Sequence, residues 1–262
     1  MNDATAQFRR LAEDSIDAAL EADPVGATWL GDHRFDDRLP DYSPEARASR
    51  SRQIDDQLRA IDAIDDVELD VVDLVDLEIL RSRLQREAFE IDELASAQWN
   101  PMEWNPGTAL HLLLSRDFAP WPERLASIQS RLSAIPEFLD TARRSLDSMP
   151  HIHVETAIGQ LTGTRAVVTD AIGEQCAVNE TDLPAGVDAA VAAIDGHIAW
   201  LNEQLPVSTR SPRLNQRIYA GVLWHSLDDA TSANHLLREA EAHLDEVTGR
   251  MREVAAEYLD ES

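Results

Sequence analysis

Lysine is absent from the 262 residues, so all 23 basic side chains are arginine. Cysteine occurs once, at Cys176, which excludes an internal disulfide and a structural metal held by cysteines. No apolar run approaches the roughly 18–20 residues that a membrane-spanning helix needs. Residues 1–10 also lack the apolar core of a signal peptide. We therefore expect a soluble, cytoplasmic protein.

Positive charge is scarce as well, because the chain has 49 acidic residues and only 23 arginines, which gives a formal net charge of −26. A duplex nucleic acid or an anionic membrane needs clustered cations on its protein partner, so neither is an expected partner. A surface this acidic repels itself at low salt, and molar salt screens that repulsion. We hypothesise a salt-accumulating cytoplasm. The alternative is an acidic protein of an ordinary cytoplasm whose genome favours arginine.

Helical periodicity runs along nearly the whole chain. Apolar residues recur every three or four positions, as on the face that carries Leu77, Leu80 and Leu84, and no alternating strand pattern occurs. The pattern predicts an all-α single domain of about eight to ten helices over residues 1–262, in an irregular array, with 180–184 as the candidate for a minor subdivision. Helices are predicted over 4–22, 44–64, 71–94, 121–135, 154–172, 187–205, 215–227 and 235–259, separated by prolines such as Pro136.

No catalytic motif stands out. None of the eight histidines is followed or preceded by glutamate, which excludes His-Glu-x-x-His and its inverted form. The serine-hydrolase elbow and the phosphate-binding glycine loops are absent too. We therefore expect no catalytic residue, no metal ligand set and no cofactor in this chain, and the sequence leaves open whether it is an enzyme.

Three segments that combine charged and aromatic residues at helix breaks supply candidate substrate-binding residues. Two copies of Trp-Asn-Pro occur at 99–101 and 104–106 and could form the wall of a ligand cleft or plug a helix junction. Arginine–aspartate pairs near the other breaks could grip a carboxylate or simply fix loop geometry. The candidates from these segments are His33, Arg34, Trp104, Asn105, Arg116 and Asp117.

Glu155 is a further candidate, in the segment His151-Ile152-His153-Val154-Glu155. On an extended segment His151, His153 and Glu155 would share one face and could hold a metal. On a helix that begins after Pro150, only His151 and Glu155 align. We favour the helix, so Glu155 is kept as a substrate-binding candidate and no metal site is predicted.

Four blocks of the chain resemble, in order, the domain-of-unknown-function family 885. They are residues 23–41 (DPVGATWLGDHRFDDRLPD), 99–101 (WNP), 116–124 (RDFAP and PER) and 153–160 (HVETAIGQ). The family is similar to zincin-type, zinc-dependent metallopeptidases of largely helical, carboxypeptidase-like build. Its zinc motif, His-Glu-Thr-x-Pro-Gly-His-His, does not occur here.

The resemblance implies that the chain is the N-terminal, cleft-covering half of such a protein, inactive by itself, with zinc belonging only to the full-length family. The alternative is a stand-alone helical binding or interaction module that takes a peptide-like ligand. The expected partners are a missing C-terminal half or a second copy. An apolar stripe on the last helix, which includes Leu237, Leu244 and Met251, would supply the contact surface.

Overall fold

A computed structural model describes residues 3–227 and 231–260. Over these residues the chain forms helices and turns without a strand, and isolated bridges pair Pro150 with Thr209 and Arg210. The all-helical prediction is confirmed. The helices are α1 (Asp3–Ala22), α2 (Pro24–Leu30), α3 (Pro44–Asp62), α4 (Val71–Phe89), α5 (Gly107–Ser115), α6 (Trp121–Ser145), α7 (His151–Ala166), α8 (Ile172–Val178), α9 (Val187–Gln204), α10 (Gln216–Leu227) and α11 (Ala233–Asp260).

Two π-helical segments extend these helices. Glu90–Leu94 continues α4, and Val167–Ala171 joins α7 to α8 as one continuous rod. With that rod counted once, the described residues hold ten α-helical rods in an irregular array. This number agrees with the expected eight to ten.

Side-chain caps fix several helix starts. Ser43 accepts a hydrogen bond from the backbone N of Ala46 at 3.2 Å, ahead of Pro44 in the first turn of α3. Asp23 and Asp70 cap α2 and α4 in the same way. Such caps satisfy backbone donors that have no partner inside the helix, so local sequence alone sets where these helices begin.

The predicted break at Pro136 is wrong, because α6 continues through it to Ser145. Proline removes one backbone hydrogen bond from the helix. Ile135, Phe138 and Leu139 on either side are all buried in the core. Tertiary packing on this face outweighs the lost hydrogen bond.

The chain divides into two compact units, Met1–Arg213 and Leu214–Ser262. Residues 180–184 form the turn between α8 and α9 and lie inside the first unit. The first unit holds two apolar clusters. The smaller one joins α1, α3 and α4 through residues such as Phe8, Ile54 and Leu77.

The larger cluster is built around α6, which packs against α5 and α9, while α7 packs against α9. Trp104, Ile128 and Leu132 are fully buried there. Helix α2 packs against α5, and the loop that follows α2 contacts this cluster through Leu39 and Tyr42. This arrangement leaves a cleft beside that loop, next to the smaller cluster.

The second unit consists of α10 and α11 in its described part. Leu237, Leu244 and Met251 on α11 are more than half exposed. Among the described residues, no helix combines the length and apolar character that crossing a membrane requires.

Candidate binding cleft

The first unit contains a cleft of about 970 Å3. Its wall is formed by the end of α1, the start of α2, the loop at residues 38–42, the first turns of α3 and the last turns of α4. Ala18, Ala22 and Leu39 contribute apolar surface. A concave site that combines apolar surface with a few convergent polar groups is typical of ligand binding.

The loop at residues 38–42 separates this cleft from two smaller hollows. One of about 300 Å3 is lined by Trp29 and Asn105, and one of about 610 Å3 is lined by Trp104. Leu39 and Tyr42 line all three. The loop therefore stands where three concave surfaces meet.

Tyr42 is anchored by aromatic contacts within this loop. Its ring lies edge-on to Trp104, with centroids 5.4 Å apart, and is tilted against Phe138. Burial raises the pKa of the phenol above its ordinary value, and the carboxylates of Asp23 and Glu103 raise it further. The phenol therefore stays protonated and remains a neutral group in the wall of the cleft.

Five arginines and five acidic residues line the cleft, although acids outnumber arginines about two to one in the whole chain. Three arginines are already paired with carboxylates of the lining. The shortest contacts of these pairs are 2.6 Å for Arg50 with Glu87, 2.9 Å for Arg86 with Glu90 and 3.0 Å for Arg38 with Glu21. Their charges largely cancel.

The two remaining acidic residues of the lining accept hydrogen bonds from backbone amides. Asp23 accepts from the N of Gly26 at 2.9 Å, and Asp41 accepts from the N of Ser43 at 2.8 Å. In the described part of the chain, this leaves Arg47 and Arg83 without a carboxylate partner. Arg47 donates instead to the carbonyl of Tyr42, at 3.2 Å.

His33, from the sequence-based candidates, is held at the end of α2. Its ring is stacked on Phe118 with centroids 3.7 Å apart, and its Nδ1 lies 2.9 Å from a carboxylate oxygen of Asp36. Asp36 is buried and accepts a hydrogen bond from the hydroxyl of Thr28 at 2.6 Å. The contacts hold the ring in a fixed orientation.

Behind this pair lies Arg131, a fully buried arginine that no sequence motif distinguishes from the other arginines. It donates to the hydroxyl of Thr28, to the carbonyl of Arg38 and to the carbonyl of Ala109. Burial lowers the pKa of Arg131 to about 10, against the opposing effect of Asp36. Arg131 thereby ties α6 to α2 and to the loop that lines the cleft.

Arg34 is exposed, and its guanidinium is already paired with carboxylates. It pairs with Asp32 and Asp17, at 2.7 Å for the shortest contact with each. The hydrogen bonds that Arg34 donates to these two carboxylates raise its pKa above the ordinary value. A ligand would have to displace an acidic partner to bind Arg34.

Arg116 and Asp117 stabilise the turn between α5 and α6. Arg116 donates to the carbonyl of Trp29 at 2.8 Å, and its guanidinium lies 4.5 Å from the centroid of the Trp29 ring. Asp117 is exposed and accepts from Arg124 at 3.0 Å. Arg116 thus connects the turn to α2, and Asp117 connects it to α6.

Trp104 and Asn105 have structural contacts as well. Trp104 is fully buried, and its indole N–H donates to the carbonyl of Ala97 at 2.9 Å. The side-chain oxygen of Asn105 accepts from Thr164 at 2.7 Å and from the backbone N of Gly107 at 2.9 Å. A Cβ atom at Gly107 would lie 2.4 Å from the Thr164 hydroxyl, so this close approach requires glycine.

Glu155 lies on the first turns of α7, as the helical interpretation predicts. It is exposed, 3.8 Å from Nε2 of His151, and does not line the cleft. The structure thus groups His33, Arg116 and their aromatic partners around α2, while Glu155 lies on another helix. None of the seven candidates lines the 970 Å3 cleft, and their role in binding a substrate stays a prediction.

Arg47 and Arg83 were missed because each resembles an ordinary solvated helix arginine in the sequence. Nothing local to either residue shows which arginines a neighbouring helix will pair with a carboxylate. Over residues 3–227 and 231–260, no group of three or more histidine, cysteine or acidic side chains is arranged to hold a metal ion.

These features define an all-helical protein with a 970 Å3 cleft, in which two arginines have no carboxylate partner among the described residues. The chain belongs to the family described as "Bacterial protein of unknown function (DUF885)", whose model matches residues 24–262. The resemblance noted from the sequence is therefore confirmed at the level of the family.

A solved structure from Shewanella oneidensis, described as "a putative lipoprotein of unknown function", is similar to this chain. The TM-score is 0.83 and the sequence identity is 25%; the match covers 93% of this chain and 46% of that chain. This chain therefore spans less than half the length of the solved structure. No curated protein matches it.

Proposed function

We propose that this chain is the substrate-binding helical part of a zincin-type protein, and that it supplies contacts to a peptide rather than the metal chemistry. The observation that carries the proposal is the fold likeness. The helical array of this chain corresponds to 46% of a longer solved chain, so in that protein the array is one part of a larger architecture. The 970 Å3 cleft supports a binding role for the array.

Metal and activity measurements on the purified chain test this proposal. We expect no stoichiometric zinc after dialysis against zinc and no cleavage of a fluorogenic peptide library, because a hydrolytic zinc enzyme needs a metal-activated water. An authentic zinc peptidase serves as the positive control. One tightly bound equivalent of zinc, together with cleavage that a chelator abolishes, would show that the proposal is wrong.

A second candidate is a stand-alone binding module, and one observation favours it. Every residue that lines the cleft lies between positions 18 and 91, inside the first unit. The first unit by itself therefore forms a cleft. A downstream reading frame that encodes the family's zinc motif would favour the first candidate, and a frame without it would favour the second.

A partner for α11 is part of both candidates. The exposed residues Leu237, Leu244 and Met251 recur every seven positions on one side of this helix. We propose that a second polypeptide or a second copy covers them. Sedimentation over a hundredfold range of concentration tests self-association, since assembly follows mass action.

The cytoplasmic location is likewise proposed on sequence grounds alone. The solved relative from Shewanella oneidensis is described as a lipoprotein. Cell fractionation of the native host with an antibody to this chain would distinguish a cytoplasmic from a membrane-attached protein.

A further inference from the structure

We propose that the 970 Å3 cleft binds an extended peptide through two carboxylates, one paired with Arg47 and the other with Arg83. The peptide nature of the ligand rests on the proposed function, whereas the selection for carboxylates rests on the charges of the cleft. No other contact among the described residues identifies a ligand for Arg47 or Arg83.

Among the described residues, no carboxylate of the lining lies within ion-pair distance of Arg47 or Arg83. Three carboxylates are paired with Arg38, Arg50 and Arg86, and the other two accept hydrogen bonds from backbone amides. A guanidinium presents five donors and remains charged at any physiological pH. Arg47 and Arg83 are therefore the groups of the lining that can take an incoming anion.

Arg47 is the better ordered of the two. It is half-buried, and its Nε is fixed on the carbonyl of Tyr42 at 3.2 Å. This bond uses one donor and leaves the two terminal nitrogens for a carboxylate, which a guanidinium can bind in a bidentate manner. Arg83 is exposed on α4, where its long side chain is free to change conformation and contact the ligand.

The spacing of the two arginines follows from the helix pair that carries them. Arg50 and Glu87 join α3 to α4, and Ser51 contacts Asp92 while Arg81 contacts Asp62, so the two helices are antiparallel. Arg47 precedes Arg50 by one turn on α3, and Arg83 precedes Glu87 by one turn on α4. In antiparallel helices these positions lie on opposite sides of the pair, roughly 10 Å apart along the axis at a rise of 1.5 Å per residue.

That separation indicates how far apart the two carboxylates of the ligand should be. An extended peptide advances about 3.3 Å per residue, so roughly 10 Å corresponds to about three residues. A peptide with an acidic side chain and a C-terminal carboxylate three residues apart fits both arginines. The Arg50–Glu87 pair lies between them as a neutral contact for the peptide backbone.

The overall charge of the protein determines how such a ligand binds. A net charge of −26 repels anions at long range, so affinity must come from the local arginine contacts. Screening at physiological salt acts beyond about 8 Å and reduces this repulsion more than it reduces the direct contacts. We therefore expect measurable binding in moderate salt and weaker association at very low salt.

Fluorescence anisotropy with a labelled peptide Ala-Glu-Ala-Ala-Ala, free at its C-terminus, tests the proposal on the full chain. Amidation of the terminus and replacement of Glu by Gln remove one carboxylate each. We expect each change to weaken binding about three- to tenfold, as for exposed to half-buried ion pairs. Equal binding of the doubly neutral peptide would overturn the carboxylate assignment while leaving peptide binding intact.

Variants of the protein complete the test. Arg47→Gln and Arg83→Gln should each weaken the acidic peptide about three- to tenfold and leave the doubly neutral peptide unaffected. Arg52→Gln is the matched control, because Arg52 is exposed on α3 and does not line the cleft. Urea unfolding confirms that each variant is folded; since Arg83 is exposed, its variant keeps the test decisive if Arg47→Gln proves unstable.

The failures are distinguishable from one another. An unchanged affinity in Arg83→Gln, or an equal loss in Arg52→Gln, would overturn the assignment of the two arginines. The zinc and cleavage measurements described above depend on neither arginine. They test the proposed function separately.

Discussion

His197 provides the sharpest test of the packing around α9, because its titratable ring is fully buried on that helix. Neither ring nitrogen has a hydrogen-bond partner in the described residues, and the ring is tilted against Trp200 with centroids 5.3 Å apart. Burial, together with the smaller effect of the positive charge of Arg143, lowers the pKa of His197 from 6.5 to about 4. The folded protein therefore holds this histidine neutral.

The lowered pKa of His197 determines the direction in which stability changes with pH. Between pH 6.5 and about 4 the unfolded chain binds a proton at this residue and the folded chain does not, so stability falls as the pH decreases. Across the whole window the loss is about 3 kcal/mol at 1.36 kcal/mol for each pKa unit. At pH 5.0 it reaches about 2 kcal/mol, and at pH 7.5 it is close to zero.

His197→Leu removes the titrating ring and keeps a side chain of similar volume. We expect the variant to be at least as stable as the wild type at pH 7.5, because two unpaired buried nitrogens are removed. Its advantage should increase by about 2 kcal/mol at pH 5.0, still above the pI of about 4.5. Urea unfolding at both pH values in molar KCl measures it.

His111→Leu is the matched control, since His111 is exposed on α5. The carboxylates titrate alike in wild type and variant, so the comparison isolates His197. A difference in stability between wild type and His197→Leu that does not change with pH would refute the reasoning.

Three further predictions concern stability. Arg131→Met should lower the free energy of unfolding by about 3 kcal/mol or more, since it leaves the buried Asp36 without its neighbouring cation. Urea unfolding measures this loss, and a loss below about 1 kcal/mol would contradict the assigned role of Arg131. Asp70→Ala should cost about 1 kcal/mol, because Asp70 accepts from the backbone N of Val72 and Asp73 at the start of α4; an unchanged thermal midpoint would argue against the cap. The midpoint of the wild type should rise with KCl from 0.1 to about 2 M, where screening removes self-repulsion, and a midpoint indifferent to KCl would count against the halophilic hypothesis.

Much of the helical architecture could be predicted from local sequence. The cap at Ser43 and the proline after it marked the start of α3, and the apolar spacing of Leu77, Leu80 and Leu84 marked the buried face of α4. These signals are local, because a cap and its helix turn lie within four residues of each other. Pro136 shows where local rules fail, since burial of its neighbours keeps α6 continuous.

The candidate site was less accessible to prediction. The sequence drew attention to unusual segments, and the structure shows Trp104, Asn105 and Arg116 making contacts that hold helices and turns together. Rare residue types are conspicuous whether they bind a ligand or stabilise a junction. The cleft is lined instead by common residue types, which no local pattern distinguishes.

Residue identity and spacing are sufficient to predict that the protein is helical, which side of each helix is apolar and that the chain is strongly acidic. The pairing of the arginines, in contrast, depends on how the helices pack. Arg50 lies opposite Glu87 and is neutralised, whereas Arg47, one turn away on the same helix, meets no carboxylate. The physical reason is the packing of α3 against α4, since it places atoms 37 residues apart in the chain within hydrogen-bond distance.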